Sequence, residues 1–134
     1  MDSIYHKIDA IMAGVGGIFG WFFGGFDGFF YALVAFTAID YLSGVLAAAV
    51  KHELSSAIGF RGIARKVMIF SLVGICHILD AEFLQHGDVL REAVTFFYLA
   101  NEGLSILENA VAIGVPTPEF LREKLLQMRD AKKE

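Results

Sequence analysis

Hydrophobic residues along the chain fall into four long stretches separated by short polar connections. The stretches cover about residues 8–26, 29–50, 67–84 and 93–115. A helix needs about 20 apolar residues to cross a hydrocarbon core about 30 Å thick, and each stretch has or approaches this length. Apolar and polar positions do not alternate with a period of two. The pattern therefore predicts membrane-spanning helices rather than strands.

Basic residues are concentrated in two of the connections, the loop 51–66 and the tail 116–134. The loop carries Lys51, Arg61, Arg65 and Lys66 against one acid, and the tail carries Arg122, Lys124, Arg129, Lys132 and Lys133. The positive-inside rule places both regions in the cytoplasm. Four transmembrane helices with both termini in the cytoplasm satisfy this rule. Three also satisfy it if the first stretch lies in the membrane interface.

The predicted fold class is therefore all-α: an integral membrane helical bundle followed by a short cytoplasmic C-terminal amphipathic helix. The chain has 134 residues, which fits one membrane domain over 1–134. Hydrophobic residues make up 56% of it and the mean hydropathy is +0.58, too apolar for an ordinary soluble domain. The N-terminus lacks a basic region, so no cleaved signal peptide is predicted. The net charge of −4 indicates no particular partner, and nothing points to nucleic acid.

Polar residues interrupt the apolar stretches in an ordered way. At 100° per residue, one arc of the fourth stretch, about 120° wide, contains the polar side chains of this segment. They are Asn101, Glu102, Ser105, Glu108 and Asn109. The second stretch carries Asp40 near its centre, on a face that it shares with Gly44.

Three interpretations of these polar residues compete. Each charge at the bilayer centre costs about 2.5–3.5 kcal/mol, so these side chains must face protein or water, or be protonated. They can bond to neighbouring helices and hold one bundle together. Alternatively, they line an aqueous path formed when several copies assemble, or they form a proton relay. A whole polar face on one helix favours a wet or oligomer-facing surface.

Glycines are spaced by four in the first stretch. Gly16, Gly20, Gly24 and Gly28 would form a smooth ridge on one helix, against which another backbone can pack closely. The partner is either another helix of the same molecule or a second copy of the chain. We therefore take these four glycines, together with Gly44, as candidate helix-packing positions.

No motif for enzyme chemistry is present. The sequence contains no GxSxG, no P-loop and no HExxH, and the four histidines are scattered. His77 and Asp80 are three residues apart, but two residues make a poor metal site. The sequence therefore indicates no catalytic residue, no metal site and no cofactor.

Two segments resemble the phage holin family that includes the clostridial toxin-secretion holins. The first has an Asp and a Gly in a span, followed by a basic loop of the form K-x-x-L-S-S-x-x-G-x-x-G-x-x-x-K. The second is an E-x-L-S-I-x-E-N run that leads to G-x-P-x-P. The first pattern falls on Asp40, Gly44, Lys51, Leu54, Ser55, Ser56, Gly59, Gly62 and Lys66. The second falls on Glu102, Leu104, Ser105, Ile106, Glu108, Asn109, Gly114, Pro116 and Pro118.

The resemblance covers about residues 36–126 and implies a small protein of the bacterial inner membrane from a phage or a phage-derived locus. Such proteins assemble into homo-oligomeric lesions that release an endolysin or a toxin and collapse the proton gradient. The implied partners are the lipid bilayer, further copies of the chain, and an endolysin or exported toxin that acts without stable contact. Two alternatives stay open: a small ion- or proton-conducting channel subunit, and an antiholin-like regulator.

Overall fold

The computed structural model describes residues 1–130, which form five α-helices and contain no strand. The helices are α1 (Asp2–Phe23), α2 (Gly28–Val50), α3 (Ser56–Ile78), α4 (Val89–Ile113) and α5 (Glu119–Asp130). A π-helical segment, Leu79–Leu84, continues α3. The end of the predicted cytoplasmic tail, residues 131–134 with Lys132 and Lys133, lies outside the described residues.

Local signals in the sequence account for most helix ends. Gly24 has a left-handed backbone with φ 80° and ends α1, and Gly114, with φ 104°, ends α4 in the same way. The side chain of Asp27 accepts a hydrogen bond of 2.9 Å from the backbone N–H of Phe30 and caps α2. Ser55 caps α3 equivalently, by accepting from the N–H of Ile58 at 3.2 Å.

Two predicted boundaries were wrong. The segment 51–66 is not a loop throughout: only residues 51–55 connect α2 to α3, because the Ser55 cap starts the helix at Ser56. Residues 24–26 do not belong to the first helix, because Gly24 and Gly25 both have positive φ and break it. The predicted glycine ridge is therefore split: Gly24 follows α1 and Gly28 is the first residue of α2.

The core lies where α2, α3 and α4 meet. Leu33, Ile69, Val73 and Leu99 are buried against each other and are surrounded by partly buried aromatic and aliphatic side chains. Phe30 and Phe70 extend this core towards the end of α1, where their rings pack against Phe23 at centroid distances of 5.0 and 6.0 Å. Packing of apolar side chains from three helices thus fixes one end of the bundle.

The two terminal helices are attached to this bundle in different ways. No residue of α1 is buried, and its contacts with α3 lie at its C-terminal end, where Phe22 lies against Gly74 and Phe23 packs on Phe70. By contrast, α5 folds back along α4 and buries Leu125 against Gly103. α1 is therefore loosely attached to the bundle, whereas α5 is packed on it.

Two helical segments in residues 1–130 are long and apolar enough to cross a membrane. They are α2 (Gly28–Val50) and the continuous Ser56–Leu84 segment, each with a mean hydropathy of 1.9. The fold is thus a helical one with two candidate spans. The charged residues of α4, among them Arg91, Glu92 and Glu102, lower its hydropathy.

Candidate functional site

One charged cluster joins α2, α3 and α4 at the middle of the bundle. Lys66 forms ion pairs with Asp40 and with Glu102, where Nζ lies 2.5 Å from Oε2. The three side chains, called here the inner triad, are 10%, 18% and 6% exposed for Asp40, Lys66 and Glu102 respectively. One cation thus stands between two carboxyl groups from different helices and pairs with both of them.

Asn109, about two helical turns after Glu102 on α4, also connects α4 to α2. Its Nδ2 donates to the backbone oxygen of Asp40 at 3.2 Å, to Oδ1 of Asp40 at 3.1 Å and to Oγ of Ser43 at 2.9 Å. A Cβ on Gly44 would lie 3.6 Å from the same Nδ2, which is ordinary contact. Gly44 therefore lies beside this contact, although its lack of a side chain is not required there.

Within residues 1–130, the remaining predicted polar side chains of α4 form no such set of contacts, although Ser105 lies beside Asp40 at the edge of a cleft. Asn101 and Glu108 are exposed and Ser105 is partly exposed. The polar arc is therefore divided: Glu102 and Asn109 face the neighbouring helices, and Asn101, Ser105 and Glu108 form an uncovered strip that we call the open face. The inner triad and the open face lie side by side on α4.

The glycines of the basic segment bring α3 close to α2. A Cβ on Gly62 would lie 3.2 Å from the ring of Tyr41, and one on Gly59 would lie 3.4 Å from its hydroxyl oxygen. Tyr41 follows Asp40 directly, so this close approach also brings Lys66 within reach of the carboxylate. The spacing of Gly59, Gly62 and Lys66 thus has a structural explanation.

The other candidate glycines differ from one another. Gly16 and Gly28 have no atom of the described residues within 4 Å of an added Cβ, and Gly20 meets only the ring of Phe26 at 3.5 Å. At Gly24 a Cβ would lie 2.5 Å from Nδ1 of His77, so only glycine fits. Within one molecule the ridge is thus not a packing surface for a second helix.

A second charged cluster lies at the opposite end of the core, where the connections α1–α2 and α3–α4 meet. Arg91, only 1% exposed, pairs with Asp27 at 2.8 Å and donates to the backbone oxygens of Phe23 and Gly25. Asp80 accepts from the N–H groups of Leu90 and Arg91, at 3.1 and 2.8 Å. We call Asp27, Asp80 and Arg91 the outer triad; it fastens both connections together.

The carboxyl group of Asp27 is the titrating group of this cluster that lies outside the helices. Partial burial raises its pKa, but the hydrogen bonds from Arg91 and from the N–H of Phe30 have the larger combined effect. The pKa of Asp27 is therefore held below its usual value. A carboxylate stabilised in this way stays ionised throughout the physiological pH range.

Sequence reasoning missed the outer triad. Asp27 and Arg91 lie in two different short polar connections of the predicted pattern, and they are 64 residues apart in the chain. One signal was available, because Arg91 is the only basic residue in the third connection and Asp27 the only charge in the first. Opposite lone charges on the same side of a membrane bundle can pair.

Two clefts open beside the inner triad on its Arg61 and Arg65 side. One, of about 280 Å³, lies between α2, α3 and α4 and reaches Asp40, Tyr41 and Asn109. The other, of about 560 Å³, runs between α3 and α4 and reaches Glu102, Asn101 and Leu72. Arg61 and Arg65 line both. A further cleft, about 690 Å³, lies between the open face of α4 and α5.

These features match an interhelical polar site rather than a catalytic one. Within residues 1–130, no group of three or more His, Cys, Asp or Glu side chains could hold a metal ion. Cys76 is a free cysteine of intermediate exposure in α3. The arrangement can hold helices together, respond to changes in charge, and present a polar strip to water or to another copy.

Comparison with known proteins gives a family match over most of the chain. Residues 17–130 match the sequence profile of the bacteriophage holin family. An uncharacterized protein of Listeria monocytogenes is 49% identical over 113 residues, 84% of this chain and 80% of the relative. An uncharacterized 14.9 kDa protein in the nagH 3′ region of Clostridium perfringens is 38% identical, over 98% of this chain and all of the relative.

A more distant relative is found in Bacillus subtilis. That uncharacterized protein is 30% identical over 111 residues, which cover 83% of this chain and 82% of the relative. No solved structure matches this chain.

Proposed function

The chain belongs to the bacteriophage holin family, a family of non-enzymatic membrane proteins, and from this premise we propose that it is a holin. In this proposal, copies accumulate in the bacterial inner membrane and assemble into lesions. The lesions release an endolysin or an exported toxin and collapse the proton gradient.

The uncovered open face of α4 is the observation that carries this proposal beyond family membership. Asn101 and Glu108 are exposed although they lie on a helix of a membrane protein. Polar residues at membrane depth require protein or water beside them, and in one copy these two side chains border open clefts instead of packing against another helix. Assembly of several copies would cover the open face or surround water with it.

We propose that the two triads mark depth in the membrane. Along each helix, the member of one triad is 11 to 14 residues from the member of the other triad: Asp27 to Asp40, Lys66 to Asp80, and Arg91 to Glu102. This corresponds to about 16–21 Å, less than the roughly 30 Å of a hydrocarbon core. If the outer triad lies at the outer boundary of the hydrocarbon core, the inner triad lies within the core, in its cytoplasmic half. The clefts beside Lys66 would admit water to it from that side.

Charges outside the triads support this orientation. The basic residues Lys51, Arg61 and Arg65 lie beyond the inner triad, and α5, with its charged side chains, packs beside the same half of α4. The proposal therefore places the end of the bundle with these basic residues on the cytoplasmic side, together with both termini and α5. The chain has four spans if α1 and α4 cross the membrane as well. Two spans, α2 and α3, meet the length and hydropathy requirement on their own.

The two polar parts of α4 suggest an order of events. The inner triad keeps a resting bundle closed, and the open face is available for contact between copies. When the protein is dense in the membrane, contacts between copies would compete with the hydrogen bonds and ion pairs between the helices of one copy. The side chains of Asp40, Glu102 and Asn109 would then turn to water together with the open face. Membrane voltage can bias such a step, since one charge that crosses the full field gains about 2.3 kcal/mol per 100 mV.

The test is induced expression in a bacterium that also contains a cytosolic muralytic enzyme, with optical density and membrane potential followed together. A holin gives a delayed and abrupt loss of both. Glu108→Gln should make lysis earlier, because an open face without this charge is easier to bury between copies. Glu123→Gln removes an exposed acid from α5 and is the matched control.

Three outcomes would contradict the proposal. Depolarisation of cells that stay intact would indicate a narrow channel. Delayed lysis by another holin, without lysis by this protein alone, would indicate an antiholin-like regulator. Lysis at the same time in the Glu108 variant, at equal expression, would remove the open face from the mechanism.

A further inference from the structure

Two arginines lie one helical turn apart on α3, at the mouth of the cleft between α3 and α4. Arg61 and Arg65 are both exposed and line this cleft and the adjoining one beside Asp40. Neither forms a salt bridge with any residue in the part of the chain that the structure describes. Two guanidinium groups on one wall of a cleft are suited to bind a phosphate group, because each can donate two parallel hydrogen bonds.

The charge of the two clefts favours an anion. Three cations, Arg61, Arg65 and Lys66, and two carboxylates, Asp40 and Glu102, line them. Lys66 is occupied by both carboxylates, which leaves the arginines on the open side of the clefts. The amide of Asn101 and the hydroxyl of Ser105 stand on the opposite wall and can add neutral donors.

The inner part of the same cleft is apolar. Met68, Ile69 and Leu72 follow the two arginines along α3 and line the cleft together with Tyr98 of α4. From Arg61 to Leu72 the helix rises about 16 Å, so the cleft is charged at the end near the basic connection and apolar towards the core. A ligand that matches both ends has an anionic head and a hydrocarbon chain.

We propose that the α3–α4 cleft binds an anionic phospholipid, with its phosphate on Arg61 and Arg65 and an acyl chain along Met68 and Leu72. Basic pockets between membrane helices on the cytoplasmic side bind the head groups of anionic lipids by the same chemistry. The site requires a membrane but not a lesion, and it therefore goes beyond the function proposed above. The lipid would also lie beside Glu102, so its phosphate charge would act on the inner triad.

The experiment uses the full chain purified in a neutral detergent. It is incubated with equimolar phosphatidylglycerol and phosphatidylcholine of identical acyl chains, and retained lipid is counted by native mass spectrometry. We expect wild type to retain phosphatidylglycerol in preference to phosphatidylcholine. The variant Arg61→Gln/Arg65→Gln should lose this preference by about tenfold, because each charge-assisted contact contributes measurably to binding.

The matched control is Lys51→Gln/Lys124→Gln. It removes the same two positive charges from exposed positions outside the cleft and should keep the preference of wild type. Leu72→Trp narrows the apolar end and should reduce retention of both lipids while the arginines stay in place. Circular dichroism and gel filtration check that each variant is folded.

Several results would overturn the proposal. Wild type that retains both lipids equally has no anion site, and this comparison needs no variant. An unchanged preference in the double arginine variant would place the site elsewhere. If the lysine control loses its preference for phosphatidylglycerol to the same extent, the lipid is attracted by the overall charge of the protein and not by this cleft. Displacement of phosphatidylglycerol by millimolar inorganic phosphate would show a site for free phosphate instead of a lipid.

Discussion

Lys66 illustrates how single residues hold this bundle together. Its Nζ forms ion pairs with the carboxyl groups of two other helices, and all three side chains are at least four-fifths buried. Removing one partner from a buried ion pair is costly because it leaves an uncompensated charge, whereas removing all partners together can be nearly neutral. The inner triad thus acts as one unit, and its members cannot be substituted independently.

Lys66→Met should therefore destabilise the protein by roughly 3 kcal/mol, the lower end of the range for breaking a buried pair. Thermal unfolding in detergent, followed by circular dichroism, measures the loss. Lys124→Met removes an exposed lysine from α5 and serves as the control. The triple variant Lys66→Met/Asp40→Asn/Glu102→Gln should recover most of the stability. A Lys66→Met protein as stable as the control would contradict the role of the triad.

At the scale of helices, close approach depends on a few glycines, and their positions differ from the sequence pattern that drew attention to them. The spaced glycines of α1 are mostly open, while Gly74, outside any such spacing, lies directly under the ring of Phe22. A Cβ there would be 2.2 Å from the ring atoms, and the ring cannot bend away as a flexible chain end can. This contact attaches α1 to α3 together with the packing of Phe23 on Phe70.

Gly74→Ala should therefore loosen the attachment of α1 to the bundle. An alanine in a helix interior is otherwise favourable by about 0.8–1 kcal/mol relative to glycine, so any loss of order opposes the intrinsic preference. Hydrogen exchange of the α1 amides should become faster in this variant. Gly16→Ala has open space around its Cβ and should exchange at the wild-type rate or more slowly. Equal protection in both variants would show that Phe22 does not hold α1.

On the scale of the whole molecule, two charged clusters enclose an apolar core. Each cluster has one member from α2 or its capping residue Asp27, one from α4, and one from α3 or its π-helical extension. Both clusters contain two acids and one base. Between them lie Leu33, Ile69, Val73 and Leu99. The outer triad fastens the connections, and the inner triad fastens the helices, so the register of the bundle is set at two levels.

The outer triad should make stability depend on pH in a defined direction. The pKa of Asp27 is lowered in the folded protein, so its ionised form contributes stability above the unfolded value of about 3.9. This contribution is lost as the pH falls through the lower, folded pKa. Asp27→Asn should be less stable than wild type at pH 7. The difference should disappear at pH values below the folded pKa.

Unfolding curves of both proteins between neutral and strongly acidic pH measure this difference. Asp88→Asn is the control, because Asp88 precedes α4 without a side-chain capping bond. A constant difference between wild type and Asp27→Asn over the whole range would contradict an ionic contribution of Asp27.

The amino-acid sequence by itself determined the helices and the polar face of α4. Both depend on local periodicity, since a spacing of 3.6 residues places Asn101, Ser105 and Glu108 on one side whatever surrounds the helix. Capping residues such as Asp27 and Ser55 act within three positions, so most helix ends are also a local matter. The family follows from the motifs that these residues form.

The tertiary structure alone decided which polar residues are paired. Lys66 lies in a basic segment that looked like a solvated loop, yet it reaches carboxylates 26 and 36 residues away. Asp80 accepts hydrogen bonds from the N–H groups of Leu90 and Arg91 in the first turn of α4, whereas Asp88, which directly precedes this helix, does not cap it with its side chain. Periodicity fixes the face on which a side chain lies but not the helix that this face meets. That choice depends on how apolar side chains and small residues such as Gly62 and Gly74 pack across helices far apart in the chain.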